Sequence, residues 1–176
     1  MKVKQRVPAE SRLDQGFNPR EKEALDRALR FLEYRPRSSG EIRERMRKWG
    51  YGNRVSSKVI DYLQARGLVD DREFARLFME ELVEKQFGFY RVREKLFAKR
   101  LAKDVVEEVM SDYPSEYEYG RAYELGLARA ERMSGQGEQT RQRKLIGFLE
   151  RRGFPSDVAR EVGRSLVRVD TELGRE

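Results

Sequence analysis

The stretch from Ile42 to Val59 reads IRERMRKWGYGNRVSSKV, and its apolar spacing returns in VREKLFAKRLAKDVVEEV at 92–109 and in LIGFLERRGFPSDVAREV at 145–162. Apolar residues occupy the same five positions in each copy. The second copy begins 50 residues after the first (42 to 92), and the third begins 53 residues after the second (92 to 145). The matched sets are Ile42, Val92 and Leu145; Met46, Leu96 and Leu149; Tyr51, Leu101 and Phe154; Val55, Val105 and Val158; and Val59, Val109 and Val162. Steps of four residues place the apolar side chains on one helix face on each side of a turn.

The turn inside the repeat carries more information than the helical steps, since any two helices share a four-residue spacing. Gly50, Arg100 and Gly153 hold the same turn position, and each is followed by a bulky apolar residue. That residue is predicted to fill the corner between two helices. With one more helix before each pair, the chain reads as three-helix units of about 50 residues in tandem, which would bury each other's edges.

Helix-start signals support this division. Four residue pairs each precede a stretch in which apolar residues recur about every 3.6 residues: Asn18-Pro19, Ser38-Ser39, Asp70-Asp71 and Pro114-Ser115. No window shows the alternation of a strand. We therefore predict an all-α fold of three tandem three-helix repeats. The predicted boundaries are a flexible basic arm at 1–17, repeats at 18–67, 68–113 and 114–169, and a polar tail at 170–176.

Composition excludes most enzyme classes. The 176 residues contain no Cys and no His, which removes thiol nucleophiles, Cys/His zinc sites and Ser-His-Asp triads. Asp70-Asp71 reads as a helix cap, and Gly50-Tyr51-Gly52 lacks the Gly-Lys-Ser/Thr end of a phosphate loop. We expect no catalytic residues, no metal and no cofactor, and hence a protein that is not an enzyme.

The chain also lacks the signals of a membrane or secreted protein. No apolar run approaches the ~18 residues of a membrane span, and the first residues, MKVKQRVP, carry no apolar signal segment. We therefore expect a cytoplasmic protein without a membrane partner.

Charge is abundant and unevenly placed. Charged residues make up 39% of the chain, and the net charge is +7. In each repeat the second helix carries a basic excess, while acidic residues concentrate in its neighbours. Such helices could form a basic stripe suited to an elongated polyanion, although a solvated surface explains any one of them equally well. The candidate binding residues are Arg43, Arg47, Arg91, Arg93, Lys95, Lys99, Arg143 and Lys144.

Aromatic residues allow two interpretations. Trp49 ends an apolar stripe, which favours corner packing over base stacking. Phe87, Phe89 and Tyr90 precede the most basic helix, where an aromatic ring could stack on a base, but burial against the core is favoured. A second group near Pro114 could form a joint between repeats or a partner surface. Its members are Tyr113, Tyr117 and Tyr119.

Three segments resemble the bacterial RecX regulatory proteins. They are RPRSSGEIR at 35–43, GLVDDREFA at 67–75, which is the most specific, and the basic block at 88–101. The resemblance covers about 23–166 and departs at Lys99-Arg100-Leu101, where the family usually has Lys-Gly before the corner residue. It implies an elongated, curved array of three three-helix units. It also implies a modulator, mostly an inhibitor, that lodges in the groove of the RecA filament, contacts DNA, and limits ATP hydrolysis, strand exchange and the co-protease activity behind the SOS response.

The sequence thus predicts a RecA regulator whose partners are the RecA filament and single- or double-stranded DNA bound without sequence preference. The basic candidates would contact phosphates or acidic filament residues, and the polar tail suggests a monomer. Two other classes stay open: a stand-alone helix-turn-helix module that reads duplex DNA, and a helical scaffold whose basic face only solubilises it.

Overall fold

A computed structural model describes residues 16–133 and 137–173, with side chains up to residue 167. The arm predicted at 1–17 lies outside the described residues except for Gly16 and Phe17. These two lie against Lys58, whose Nζ donates to the Gly16 carbonyl at 2.7 Å and sits 4.8 Å from the Phe17 ring centroid. The side chains of the predicted tail at 170–176 also lie outside the described part.

Helices account for nearly all of the described chain, which confirms the predicted all-α class; no strand occurs in its described part. In chain order the helices are α1 (Pro19–Glu33), α2 (Ser39–Lys48), α3 (Asn53–Ala65), α4 (Asp71–Glu84), α5 (Phe89–Ala98), α6 (Lys103–Ser111), α7 (Glu118–Ala130), α8 (Glu138–Arg151) and α9 (Ser156–Leu173). Short 3₁₀ turns at Ser115–Tyr117 and Glu131–Met133 flank α7. Each consecutive set of three α-helices forms one repeat.

Three of the four predicted helix starts are side-chain caps, whereas Pro114-Ser115 begins a 3₁₀ turn without a side-chain cap, and α7 starts at Glu118. The Asn18 side chain accepts from the Glu21 amide while Glu21 accepts from the Asn18 amide, and Ser38 and Glu41 make the same reciprocal pair. This capping box satisfies two of the amides that a helix start leaves unpaired. Asp70 caps α4 through its Oδ1, which accepts from the amides of residues 72 and 73 at 2.9 and 3.0 Å.

Burial confirms the repeat. Four of the five matched positions are buried in all three copies, and the fifth, which holds Val55, Val105 and Val158, is partly buried in all three. The helical period after Asp70-Asp71 predicts an apolar stripe of Phe74, Leu77, Phe78 and Leu82 on α4. Leu77 is instead 51% exposed and the two phenylalanines are partly buried, and the buried face is built on Ala75, Met79 and Leu82. The repeat therefore marks residues that are buried or partly buried in each three-helix set.

The corner between the second and third helices has one backbone conformation in all three repeats. Gly50, Arg100 and Gly153 take positive φ values of 84°, 58° and 91°. A left-handed residue at this point ends the helix and turns the chain, and glycine adopts it at least cost. Arg100 adopts the same turn, so the missing glycine does not prevent the second repeat from closing its helix.

The chain divides into two compact units, each described here by itself. The first contains the described residues up to Arg76 together with Phe97–Val105, and the second contains Leu77–Leu96 and the described residues from Val106 onward. In the first, Leu25, Ile42 and Leu63 belong to one buried core shared by α1, α2 and α3. In the second, α7, α8 and α9 share a core of their own, which includes Leu145, Phe154 and Val162.

In the first unit, the start of α2 is held by two segments of the next repeat. The Ser39 amide donates to Asp71 Oδ1 at 2.7 Å, and the Ser39 hydroxyl donates to the other carboxylate oxygen. The neighbouring Ser38 hydroxyl donates to the carbonyl of Lys99, in the corner after α5. Asp71, expected from sequence to cap α4 with Asp70, instead joins one repeat to the next.

The second unit repeats this junction at the start of α5. The Phe89 amide donates to Glu118 Oε1 at 2.8 Å, and the Gly88 amide donates to the Arg152 carbonyl at 2.9 Å. Phe89 matches Ser39 by the 50-residue offset, and Arg152 matches Lys99 by the 53-residue offset. Both α2 and α5 therefore begin against a carboxylate and a corner of the following repeat.

Candidate nucleic-acid interface

On α2, the two predicted binding residues have partners within the first unit. Arg43 Nη1 donates to Ser57 Oγ at 2.9 Å. Arg47 holds Glu44 through two hydrogen bonds, of 3.1 and 3.0 Å, and these bonds lower the pKa of the Glu44 carboxyl. Both arginines are exposed, so this face presents positive charge that Glu44 partly offsets.

On α5, the predicted residues are half-buried. Arg91 pairs with Glu94 at 2.6 Å, and Lys95 Nζ lies 4.9 Å from the Phe87 ring centroid. Arg93 and Lys99 are partly buried as well, and each contacts other parts of the protein. The predicted cations of α5, and Lys99 in the corner after it, therefore have interaction partners within the protein.

A residue absent from the prediction completes this group. Arg152 lies 4.2 Å from the Phe87 centroid and donates to the carbonyls of Lys85 and Gln86, at the end of α4. Burial lowers the pKa of its guanidinium. Arg152 thus satisfies helix-end carbonyls, and its contribution to a basic surface is secondary to that role.

On α8, Arg143 and Lys144 are exposed. They do not occupy the repeat position shared by Arg43 and Arg93, which in the third repeat holds Ile146. The basic excess recurs in each second helix, and Lys144 matches Arg91 by the 53-residue offset, but none of the predicted positions is basic in all three repeats.

The start of α5 is not open to a phosphate. Besides the amides of Gly88 and Phe89, the Tyr90 amide also has a partner, the Gly153 carbonyl at 3.0 Å. Helix starts often bind anions through such amides. Anion binding at this helix must therefore use side chains.

The structure distinguishes the aromatic residues that pack inside the protein from those that are exposed to a partner. Phe89 packs edge-on against Tyr113, with centroids 5.3 Å apart. The Tyr113 hydroxyl donates to Glu118 at 3.0 Å and accepts from Arg121 at 2.9 Å, while burial, followed by the Glu118 charge, raises the pKa of Tyr113. Tyr113 is thus part of the joint between repeats. By contrast, Tyr90, Tyr117 and Tyr119 are 60%, 66% and 37% exposed.

A further cationic group, which we call the arginine–aromatic cluster, lies where α1 meets α2 and its corner. Its members are Arg27, Phe31, Arg37, Arg45, Trp49 and Tyr51. Sequence reasoning missed it, although Arg27 precedes Phe31 and Arg45 precedes Trp49 by the same four residues. Residues four apart share a helix face, so the sequence of each helix places an arginine on the same face as a ring. The sequence does not show that the two helices bring these residues together.

Among the described helices, none combines the length and apolar character of a membrane span. In the same part of the chain, no group of three or more potential metal-ligating side chains comes together.

Comparison with known proteins identifies the fold and the family. The family model described as "RecX, first three-helix domain" matches residues 24–63, and that described as "RecX, third three-helix domain" matches residues 116–162. The crystal structure of RecX from Lactobacillus salivarius superimposes with a TM-score of 0.74 at 20% identity, covering 83% of this chain and 96% of that one.

Sequence relatives agree over most of their length. The "Regulatory protein RecX" of Chlorobium phaeobacteroides (strain BS1) is 30% identical over 142 residues, which is 80% of this chain and 91% of the relative. The protein of the same name in Mycobacterium avium (strain 104) is 32% identical over 158 residues, covering 89% of this chain and 91% of the relative. The three-helix repeats, their order and these identities confirm the resemblance read from the sequence: the chain belongs to the RecX family of regulatory proteins.

Proposed function

We propose that this chain is a cytoplasmic, monomeric regulator of the RecA recombinase. It binds the RecA filament on single-stranded DNA and inhibits ATP hydrolysis, strand exchange and co-protease activity. The observation that carries the proposal is membership in the RecX family combined with a basic excess on the second helix of every repeat.

Such regulation requires occupancy and no chemistry. The exposed cations of α2 and α8, such as Arg43 and Arg143, would contact phosphates or filament carboxylates directly. Arg47 and Arg91 would first exchange their internal partners, Glu44 and Glu94. Exposed ion pairs contribute about 0–1 kcal/mol, so this exchange is easily offset by a new charged partner.

The test is RecA ATPase and strand exchange on single-stranded DNA, across a salt series, with the wild type and the charge-reversed variant R91E/R93E/K95E. We expect the wild type to inhibit both activities and the variant to lose inhibition while its circular dichroism keeps the wild-type helicity. Inhibition should weaken with salt, because binding to a polyanion releases counterions.

A control variant distinguishes the loss of a specific binding site from the effect of a lower net charge. R132E/R160E/R164E reverses three exposed arginines of the third repeat outside α8, so it has the same net charge as the test variant. It should inhibit like the wild type. Full inhibition by R91E/R93E/K95E would show that α5 is not part of the binding surface.

The two alternatives give different results in the same experiments. A helix-turn-helix reader would prefer particular duplex sequences and leave RecA unaffected. A scaffold protein would bind neither nucleic acid nor RecA at physiological salt. Salt-sensitive binding without sequence preference, together with inhibition of RecA, excludes both.

A further inference from the structure

The arginine–aromatic cluster forms a continuous row of alternating guanidinium groups and rings in the first unit. Arg37 Cζ lies 4.1 Å from the Phe31 centroid, and Arg45 Cζ lies 5.5 Å from Phe31 and 5.4 Å from Trp49. Phe31 and Trp49 meet edge to face, with centroids 5.9 Å apart. Each guanidinium therefore rests on a ring that is itself fixed by packing.

The row continues past Trp49. Arg27 Cζ lies 5.1 Å from the Trp49 centroid and 5.8 Å from that of Tyr51, and Arg27 Nη1 donates to the Tyr51 hydroxyl at 3.4 Å. Arg27 and Arg45 are exposed, and Arg37, Phe31 and Trp49 are half-buried. Arg27 and Arg45 thus form the solvent side of the row, and Arg37 lies partly within it.

Positive charge in this row is poorly compensated. Within the described part of the chain, Arg37 and Arg45 form no ion pair, and Arg27 has an exposed pair with Glu23 at 3.5 Å. Glu41, the carboxylate whose charge acts on Arg37, accepts two hydrogen bonds from Arg35.

Two details of Arg37 show the same surplus. Its Nε is buried without a hydrogen-bond partner in the described structure. Burial, followed by the positive charge of Arg35, lowers the pKa of its guanidinium. An anion beside the accessible part of the Arg37 guanidinium would relieve the repulsion between these cations.

The composition of the row indicates which anion. A stacked guanidinium is held in one plane and offers its N–H edge for two parallel hydrogen bonds to a phosphate. Surfaces that bind single-stranded nucleic acid combine such cations with flat groups on which unpaired bases stack. A cluster that bound an acidic protein surface would need the arginines but not the aromatic rings.

We propose that the arginine–aromatic cluster is a binding site for single-stranded nucleic acid, in which Arg37 and Arg45 hold phosphates and the stacked planes receive bases. The inference rests on the proposed function in that the DNA strand of the RecA filament is the intended ligand. It goes beyond that function in assigning a site outside the predicted binding residues, one that binds the strand without RecA.

The experiment measures fluorescence anisotropy of a labelled 20-nucleotide oligo(dT) with the full chain across a salt series. R37Q/R45Q should weaken binding about tenfold and flatten the slope of log affinity against log salt by about 1.4, the value for two phosphate contacts on a single strand. The matched control, R30Q/R54Q, removes two exposed arginines of the same repeat, and its binding should stay within about twofold of the wild type.

R37K/R45K tests the stacking itself, because it keeps the charge and removes the planar groups. It should keep the wild-type slope of log affinity against log salt but bind oligo(dT) more weakly than the wild type. Both proteins should bind an abasic strand with the same affinity. Thermal unfolding within a few degrees of the wild type would verify that each variant is folded. If R37K/R45K binds oligo(dT) like the wild type, the role of the planes is overturned.

RecA ATPase assays on the same variants separate the two proposals. Loss of oligo(dT) binding by R37Q/R45Q supports the site whether or not RecA inhibition persists. If R37Q/R45Q binds oligo(dT) like the wild type but no longer inhibits RecA, the cluster contacts RecA itself, and the inference is overturned while the proposed function stands.

If the wild type binds DNA through the cluster but never affects RecA, the proposed function fails and the site remains. Equal loss in R30Q/R54Q would overturn the site.

Discussion

The backbone of Arg100 occupies the space that a side chain on Gly40 would need. A Cβ at Gly40 would lie 2.7 Å from the Arg100 Cβ and 2.9 Å from its carbonyl carbon, and nearer still to the carbonyl oxygen. Gly40 is in the first turn of α2, and Arg100 is the left-handed residue of the corner after α5. The second helix of one repeat thus contacts the corner of the next, backbone against backbone. The second unit repeats the approach, because a Cβ at Gly88 would lie 2.5 Å from the Gly153 carbonyl carbon.

The first prediction concerns this contact. Gly40→Ala should lower the free energy of unfolding by about 3 kcal/mol, since the opposing atoms belong to backbone and cannot rotate away. Chemical denaturation monitored by circular dichroism measures the change. Gly120→Ala is the matched control, because Gly120 lies exposed in α7 with nothing near its Cβ direction. It should raise the free energy of unfolding by about 0.5–1 kcal/mol. A similar gain at Gly40 would show that the backbones do not meet.

The second prediction concerns the corner at Arg100. A left-handed backbone costs a residue with a side chain about 1 kcal/mol, so Arg100→Gly should stabilise the protein by up to about that amount. The Arg100 side chain contributes little, because its contact with Glu44 is exposed and 3.9 Å long. Arg100→Ala keeps the strained backbone, so its melting temperature should not rise. Equal stabilisation by both variants would assign the effect to the side chain.

The third prediction concerns the junction of Ser39 with Asp71. A double-mutant cycle of Ser39→Ala and Asp71→Ala should give a coupling energy of about 1 kcal/mol from the lost hydroxyl–carboxylate bond. Asp70→Ala should also destabilise by about 1 kcal/mol, through loss of the α4 cap, without coupling to Ser39→Ala. Coupling to Asp70 rather than to Asp71 would contradict the assignment of these two carboxylates.

The fourth prediction concerns pH. Lys58 donates to Glu21 at 2.6 Å, and this bond, followed by the bond from the Asn18 amide, lowers the pKa of the Glu21 carboxyl. A lowered folded-state pKa gives stability that is present above the unfolded value, about 4.3, and lost as the pH falls through the folded value. Glu21→Gln keeps a group able to accept from Asn18 and removes the charge.

The measurement for Glu21 is urea denaturation of both proteins between pH 7 and pH 3. The wild type should be the more stable at pH 7, and the difference from Glu21→Gln should shrink below about pH 4. A difference that stays constant over this range would show that the carboxylate charge has no role.

Much of this architecture was readable from local pattern. The caps at Asn18, Ser38 and Asp70 and the buried face built on Ile42 and Met46 depend on residues close in the chain, so their spacing identifies them. The exposed Leu77 was misread, since periodicity alone does not say which of two adjacent apolar positions a neighbouring helix covers.

The basic candidates show the limit of such reasoning for sites. The sequence located the cationic second helices, and the three-residue spacing of Glu44 and Arg47 allows their pairing to be read, but nothing local shows that Phe87 lies beneath Lys95 and Arg152. Those relations depend on turns and on helix pairing. The arginine–aromatic cluster was missed for the same reason, since α1 and α2 each supply only part of it.

The sequence by itself therefore determined the helices, the threefold repeat, the family and the absence of Cys and His chemistry, because each follows from residue identity and short spacing. Tertiary structure alone decided which groups meet: Gly40 with Arg100 and Asp71 with Ser39 across repeats, and Phe31 with Arg37 and Arg45 within the first repeat. The physical reason is that a hydrogen bond or a ring contact extends only a few ångströms. Residues tens of positions apart come within that distance only after the helices have packed.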